Sequence, residues 1–195
     1  MPTDTSDDES LRDRRRRETL VAIRQRSTRL AEWADTDALD HPIWEDRAVA
    51  AAKFVPAGAR VLDLGCGKML VERHLPPDCT YVPLDAVSRD ERTIVCDLNR
   101  DPFPPVTADM AIGLGVMEYL YQVPRFLRRV AKAAPLALLT YYPLEAEPRR
   151  DRLSMGWVNA LNSNELIALM RHAGFKKVEV VRYSPKCHFF LARTI

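Results

Sequence analysis

The run Val61-Leu62-Asp63-Leu64-Gly65-Cys66-Gly67 places an acid at the end of an apolar stretch, followed at once by two glycines. Glycine lets a backbone approach a ligand closely, and a strand that turns sharply into a helix presents free amides beside the turn. Turns of this kind cradle phosphates in some proteins. The acid before the glycines suits a ligand carrying an amine and hydroxyls better than a bare phosphate. A second acid, Asp85, comes 22 positions after Asp63, the distance at which Rossmann-like units place a carboxylate against ribose hydroxyls. A third lies in Cys96-Asp97-Leu98-Asn99, where Asp97 is suited to accept from an adenine amine and Leu98 to pack on the ring. The dinucleotide pattern G-x-G-x-x-G is not met, because Leu70 stands where it needs Gly or Ala.

These acids work together only if their strands lie side by side. Short apolar runs begin at Arg60, Tyr81, Thr93, Met110, Leu136, Val178 and His188. They are continuous rather than alternating, as in strands buried on both faces. Helical patterns fall between them at Met69–Leu75, Val123–Ala133 and Asn164–Ala173, the last capped by Ser163 and Gly174. The connection Ala86–Arg92 is too short for a full helix. Strands alternating with helices give an α/β, doubly wound sheet with right-handed crossovers and helices on both faces, and the three acids then line one sheet edge.

Ahead of this lies a segment of different character. Residues 1 to about 10 are polar and acidic, and no structure is expected there. Leu11–Trp33 reads as one amphipathic helix and Ile43–Phe54 as a second. The division is therefore residues 1–56, a disordered start and helical extension, and residues 57–195, the Rossmann-like domain. The run Arg14-Arg15-Arg16-Arg17 reads as a solvated helix face balanced by nearby acids.

Composition narrows the class. With 47% apolar and 29% charged residues the chain can bury a core, and a net charge of +2 is too mild to indicate nucleic acid or an anionic membrane as partner. Cys66, Cys79, Cys96 and Cys187 form no CxxC pair, so neither a metal site nor a disulfide framework is expected. The acidic start lacks signal-peptide order, and the longest apolar run is far short of a membrane span. A cytoplasmic protein is expected.

The quoted motifs resemble the class I S-adenosylmethionine-dependent methyltransferase family from about Arg60 to Phe190. "VLDLGCG" is similar to its first motif, Asp85 to its second-strand acid and "CDLN" to its adenine-contacting segment. "ADMAIGLGVMEYL" is similar to its fourth-strand motif and methionine-side loop. The resemblance implies a seven-stranded, mostly parallel sheet whose last strand is antiparallel, with S-adenosyl-L-methionine as cofactor. Its contacts fall on Asp63, Gly65, Cys66, Gly67, Asp85, Ala86, Asp97, Leu98 and Leu114. Two departures stand out: Lys68-Met69 comes after Gly67 where a third glycine is common, and Tyr119 stands where many small-molecule members have histidine.

Methyl transfer is an in-line displacement, so positioning the acceptor matters most and no obvious catalytic residue is required. Glu118, Tyr119 and Tyr141 are candidates near the transfer site. The segment Glu145–Asn162 reads as a surface loop with solvated arginines, the alternative being a lid whose arginines and Trp157 suit an anionic or sugar-like acceptor. Tetrapeptides such as N-P-P-Y are missing, which disfavours a DNA or glutamine-amide substrate. The expected function is methylation of a small metabolite or biosynthetic intermediate. The alternatives are a macromolecular substrate docked by the N-terminal helix and a degenerate binding or scaffold protein.

Overall fold

The computed structural model describes residues 10–35 and 42–195. The expectation of a disordered start falls on residues 1–9, outside the described residues, apart from Ser10. Seven strands form one sheet: β1 (Arg60–Leu64), β2 (Thr80–Asp85), β3 (Ile94–Val95), β4 (Met110–Gly113), β5 (Leu136–Tyr141), β6 (Lys177–Arg182) and β7 (His188–Arg193). Their order is β3-β2-β1-β4-β5-β7-β6. Strands β1 to β5 pair in parallel, whereas β7 runs antiparallel to both β5 and β6. The chain leaves β1 toward β2 on one side and later returns to place β4 on the other. That reversal opens a crevice beyond the carboxyl ends of β1 and β4.

The apolar strands are buried because both faces are covered. Leu62 and Leu64 face a core built with Phe126, Leu127 and Val130 of α4 (Val123–Ala133) and Leu166 and Met170 of α5 (Ser163–Ala173). Val61 points to the opposite face, among Met110, Ile112, Phe189 and the alanines of α3 (Pro42–Ala52). This alternation is the two-residue period of a strand. Helix α4 presents Val123, Phe126, Leu127 and Val130 along one stripe, with Pro124 in its first turn.

Three local expectations are corrected. The segment Leu11–Trp33 is two helices, α1 (Leu11–Gln25) and α2 (Leu30–Ala34), separated at Arg26, whose backbone is left-handed at φ 48°. Met69–Leu75 is not an α-helix: Met69 has φ 55°, and only a 3₁₀ turn at Glu72–His74 forms before Pro76. Helix α5 is capped by Asn162 rather than Ser163, in a reciprocal capping box with Glu165. Gly174 ends it in the left-handed conformation, and Ala86–Arg92 carries no helix, both as expected.

The N-terminal arginines are engaged in ion pairs. Arg12 and Arg16 reach Asp151 at 3.1 and 3.3 Å, and Arg14 pairs with Glu18. Arg29 bridges Glu18 (2.7 Å) and Glu32 (3.1 Å) and donates to the buried Thr19 hydroxyl at 3.2 Å. Among the described residues no helix is long and apolar enough to cross a membrane.

Candidate active site

The glycine turn hangs on the neighbouring strand. The amides of Gly65 and Cys66 both donate to the Leu84 carbonyl, at 2.8 and 3.1 Å, which bends the chain as it leaves β1. Gly65 (φ 73°) lies so close to Val116 that a Cβ would sit 3.2 Å from its methyl. Gly67 (φ 51°) donates its amide to Asp85 Oδ2 at 2.9 Å. Two positions on, Met69 takes the left-handed conformation a glycine would take, and its amide closes the turn on the Cys66 carbonyl at 2.8 Å. The departure at Met69 therefore leaves the turn's geometry intact.

The three acids sit at the carboxyl ends of adjacent strands. Asp63 is buried and accepts the Tyr81 hydroxyl at 2.7 Å. Burial, with the Asp85 charge adding to it, pushes its carboxyl up to about 7, against the lowering pull of the Tyr81 hydrogen bond and Arg47. Asp85 accepts from the Val87 amide (3.0 Å) and from Arg89 (3.2 Å) through Oδ1, the Arg89 side chain being 9% exposed and that of Asp85 8%. Asp97 Oδ1 accepts from the Asn99 amide at 3.0 Å and from the Thr28 hydroxyl at 2.8 Å. Asn99 in turn donates to Thr28 Oγ1 and to the Tyr119 carbonyl, each at 3.0 Å. Tyr121 completes the network with its hydroxyl on the Ser27 carbonyl at 3.0 Å.

One cavity of about 160 Å³ opens between these groups. Its walls include Asp63, Gly65, Cys66 and Gly67 from the first turn. Asp85 and Ala86, Asp97 and Leu98, and Leu114 come from the next three strand ends. All nine positions expected around a cofactor thus share one space. Tyr119 joins them, its ring edge-on to Trp33 with centroids 4.6 Å apart. Burial raises the Tyr119 hydroxyl above the ordinary tyrosine value.

Glu118 and Tyr141 lie elsewhere. Glu118 is buried beside β5, where one carboxylate oxygen accepts the Tyr142 amide at 3.0 Å and burial holds its carboxyl above the usual range. The Tyr141 hydroxyl accepts from the Leu161 amide and from Arg152, both at 2.9 Å. Both are buried braces for the loop after β5 and line no part of the cavity.

That loop does not cover the cavity either. Arg152 spans Asn159 O (2.8 Å) and Tyr142 O (2.9 Å) and stacks on the buried Trp157, 4.6 Å from its ring centre. Arg150 pairs with Glu147. The roof comes instead from the N-terminal segment: Thr28, Trp33, Trp44 and Arg47 line the cavity, with Arg89 after β2. Sequence reading missed these. The available signals were the i,i+3 spacing of Trp44 and Arg47 on α3 and the i,i+4 spacing of Asp85 and Arg89. Among the described residues no group of three or more His, Cys, Asp or Glu side chains is arranged to hold a metal ion.

Comparison with known proteins gives the family. A putative O-methyltransferase from Nostoc punctiforme superposes with a TM-score of 0.71 at 13% identity, over 95% of this chain and 69% of that one. Human N-acetylserotonin methyltransferase, solved with S-adenosylmethionine, gives 0.64 at 20% identity, over 90% of this chain and 59% of the human one. CalO1, a methyltransferase of calicheamicin biosynthesis, gives 0.64 at 15% identity, over 96% and 70% of the two chains. These likenesses establish the fold. No match is found among curated protein sequences. Residues 17–180 match the family described as methyltransferase domain, a span that covers the glycine turn, all three acids and most of the roof, and the chain belongs to that family.

Proposed function

We propose that the protein transfers the methyl group of S-adenosylmethionine to a small-molecule acceptor. The observation that carries this reading is the convergence of Asp63, Asp85 and Asp97 with the Gly65–Gly67 turn on one cavity. The donor set fits the cofactor. Asp63 would take the ammonium of its amino-acid tail, Asp85 the ribose hydroxyls, and Asp97 with Leu98 the adenine. Gly65 and Gly67 would admit the tail close to the backbone.

When bound, the cofactor supplies a methyl group activated by a cationic sulfur. This chain's own residues have the tasks of holding, orienting and drying. Trp33, Trp44 and Tyr119 line the cavity, and with the cofactor bound their rings would shield it from water and strengthen the charged contacts inside it. No histidine lines the cavity among the described residues, so alignment rather than a histidine base is the chain's contribution.

Three observations favour a small acceptor. Trp33 and Trp44 roof the cavity, the N-terminal arginines pair with acids of the same chain, and similar folds include proteins named for N-acetylserotonin and calicheamicin chemistry. The Lys68-Met69 departure from the family's turn gives no support to a degenerate scaffold, since Met69 takes the left-handed backbone and closes the turn on the Cys66 carbonyl.

Calorimetric titration with S-adenosylmethionine and S-adenosylhomocysteine, with NAD as control, tests the reading. Micromolar binding of the first two and not of NAD is expected, followed by labelled-methyl transfer when small acceptors are screened. Absence of binding by both would overturn it.

A further inference from the structure

Helix α4 carries four cations on its solvent side: Arg125, Arg128, Arg129 and Lys132. Their spacing of three and four residues puts them on one face, over about 10 Å of helix. The other face is fixed, because Val123, Phe126, Leu127, Val130 and Ala133 are buried in the core. Arg125, Arg128 and Lys132 are exposed, and Arg129 is partly buried.

The fold gains little from this arrangement. Among the described residues none of the four side chains makes a hydrogen bond or an ion pair. Elsewhere arginines face acids of the same chain: Arg14 meets Glu18, Arg92 meets Glu72 and Arg150 meets Glu147. Helix α4 holds no acid, so its charged neighbours at i,i+3 and i,i+4 are all of like sign, which opposes the helix. Burial, with the Arg125 charge adding to it, holds the Arg129 guanidinium below the ordinary arginine value. Lys132 in the last turn offsets the negative helix end, but Arg125 adds positive charge to a first turn that is already positive. A rigid stripe of one sign, unanswered within the chain, is complementary to a negative surface outside it.

The side chains around the stripe choose among negative surfaces. Outside its core face α4 holds only the cations, Pro124 and Ala131. It therefore offers no aromatic ring to stack on a nucleic-acid base and no amide to read one. A lipid surface is held by apolar side chains inserted beside the cations, and the large ones of α4 are turned into the core. Guanidinium forks at helical spacing match carboxylates at the same spacing on a facing helix.

We propose that α4 is a docking face for a protein partner, and that the partner presents a helix with Asp or Glu at i, i+3, i+4 and i+7. Only Tyr121 and Gln122 separate α4 from Leu120 in the cavity wall, so the partner would stand on the flank of the cavity. This docking is independent of what the cavity binds.

The probe is a labelled, alanine-based helical peptide of about 18 residues with glutamates at those four positions, and its glutamine counterpart is the control. Anisotropy with the full chain is expected to show the glutamate peptide bound about tenfold or more tightly at about 50 mM salt, the difference shrinking at about 300 mM. Arg125→Glu with Arg128→Glu is expected to weaken that peptide by about tenfold or more, and Arg129→Gln with Lys132→Gln by about threefold or more. Arg24→Glu with Arg149→Glu makes the same net charge change as the first pair at exposed positions away from α4, and is expected to stay within about twofold. The melting temperature of the first α4 pair is expected to hold or rise, since it gains acids in and after the first turn. Equal binding of the two peptides would overturn the assignment, as would equal weakening by the first α4 pair and the control pair. So would tighter binding of a single-stranded RNA of about 20 nucleotides, or of phosphatidylserine vesicles, lost in the same α4 pair, since the stripe then meets phosphate. A lower melting temperature in both α4 variants would show that the fold itself uses these charges, and would overturn it too.

Discussion

The Thr28 hydroxyl donates to Asp97 Oδ1 at 2.8 Å, joining a turn between the first two helices to the acid after β3 across 69 positions of sequence. The same oxygen of Thr28 accepts from Asn99, so one hydroxyl fastens the N-terminal segment to the floor of the cavity. Whatever binds at Asp97 also meets this fastening.

Thr28→Val keeps the shape and removes the hydrogen bonds. We expect a loss of about 1 kcal/mol, read as a roughly fivefold weaker affinity for S-adenosylhomocysteine. Limited proteolysis should cut the N-terminal segment faster than in wild type. Unchanged affinity and cleavage would show that the roof is held without Thr28.

Asp85→Ala separates two roles. The loss of ribose contacts should weaken S-adenosylhomocysteine by about 1.5–3 kcal/mol. Arg89, its side chain only 9% exposed, would also lose its partner, costing about 2 kcal/mol of stability and lowering Tm by roughly 4–8 °C. Asp85→Ala combined with Arg89→Leu should recover the melting temperature and not the affinity. Recovery of both would remove Asp85 from the site.

Asp63 gives a pH signature. Its carboxyl lies near 7 in the fold against about 3.9 unfolded, so between those values the folded state keeps a proton that the unfolded state has lost. Its contribution to stability is therefore full below about pH 4, is lost as pH rises to about 7, and is level above. An ammonium-bearing ligand needs the ionised form. Its affinity should fall by up to about tenfold per pH unit below 7, with proton release on binding, whereas 5′-methylthioadenosine shows no such slope. Tyr81→Phe removes the hydrogen bond that lowers this pKa and should move the break to higher pH. Parallel profiles for the two ligands would place the ammonium elsewhere.

Met69→Gly tests the turn. Relief of a left-handed non-glycine residue should add about 1 kcal/mol, a rise in Tm of about 2–4 °C, with S-adenosylhomocysteine affinity within about twofold. Arg92 reaches Met69 Sδ at 3.6 Å, an exposed and weak interaction whose removal costs little. A lower melting temperature would show that the methionine packs better than its backbone suggests.

The parts of the fold legible in sequence are those with a strong local signal. Continuous apolar runs marked the strands, β1 and α4 to the residue, and the 22-residue interval tied Asp63 to Asp85. Where local signals compete, reading failed. The helix expected at Met69–Leu75 has apolar spacing, but the glycine turn carries on through Met69, and Pro76 limits the chain beyond it to one short 3₁₀ turn. The arginines of the loop after β5 are of a type that binds anions, yet Arg152 is consumed by Tyr142, Asn159 and Trp157. The roof was invisible because nothing in the run around Thr28, Trp33, Trp44 and Arg47 declares which distant strand ends it will meet. Long-range docking carries no periodicity.

The span of the N-terminal segment's contacts predicts an order of assembly. Thr28 meets Asp97 across 69 positions and Arg12 meets Asp151 across 139, whereas the parallel strand pairs close over 10 positions (Leu84–Ile94) to 49 (Val61–Met110). By loop closure alone the longer contacts are expected to form after the strand pairs, with residues 10–35 seated last. Until then Trp33 and Trp44 have no cavity to roof. A ligand held between sheet and roof would bind only the finished arrangement and so would stabilise the docking of residues 10–35.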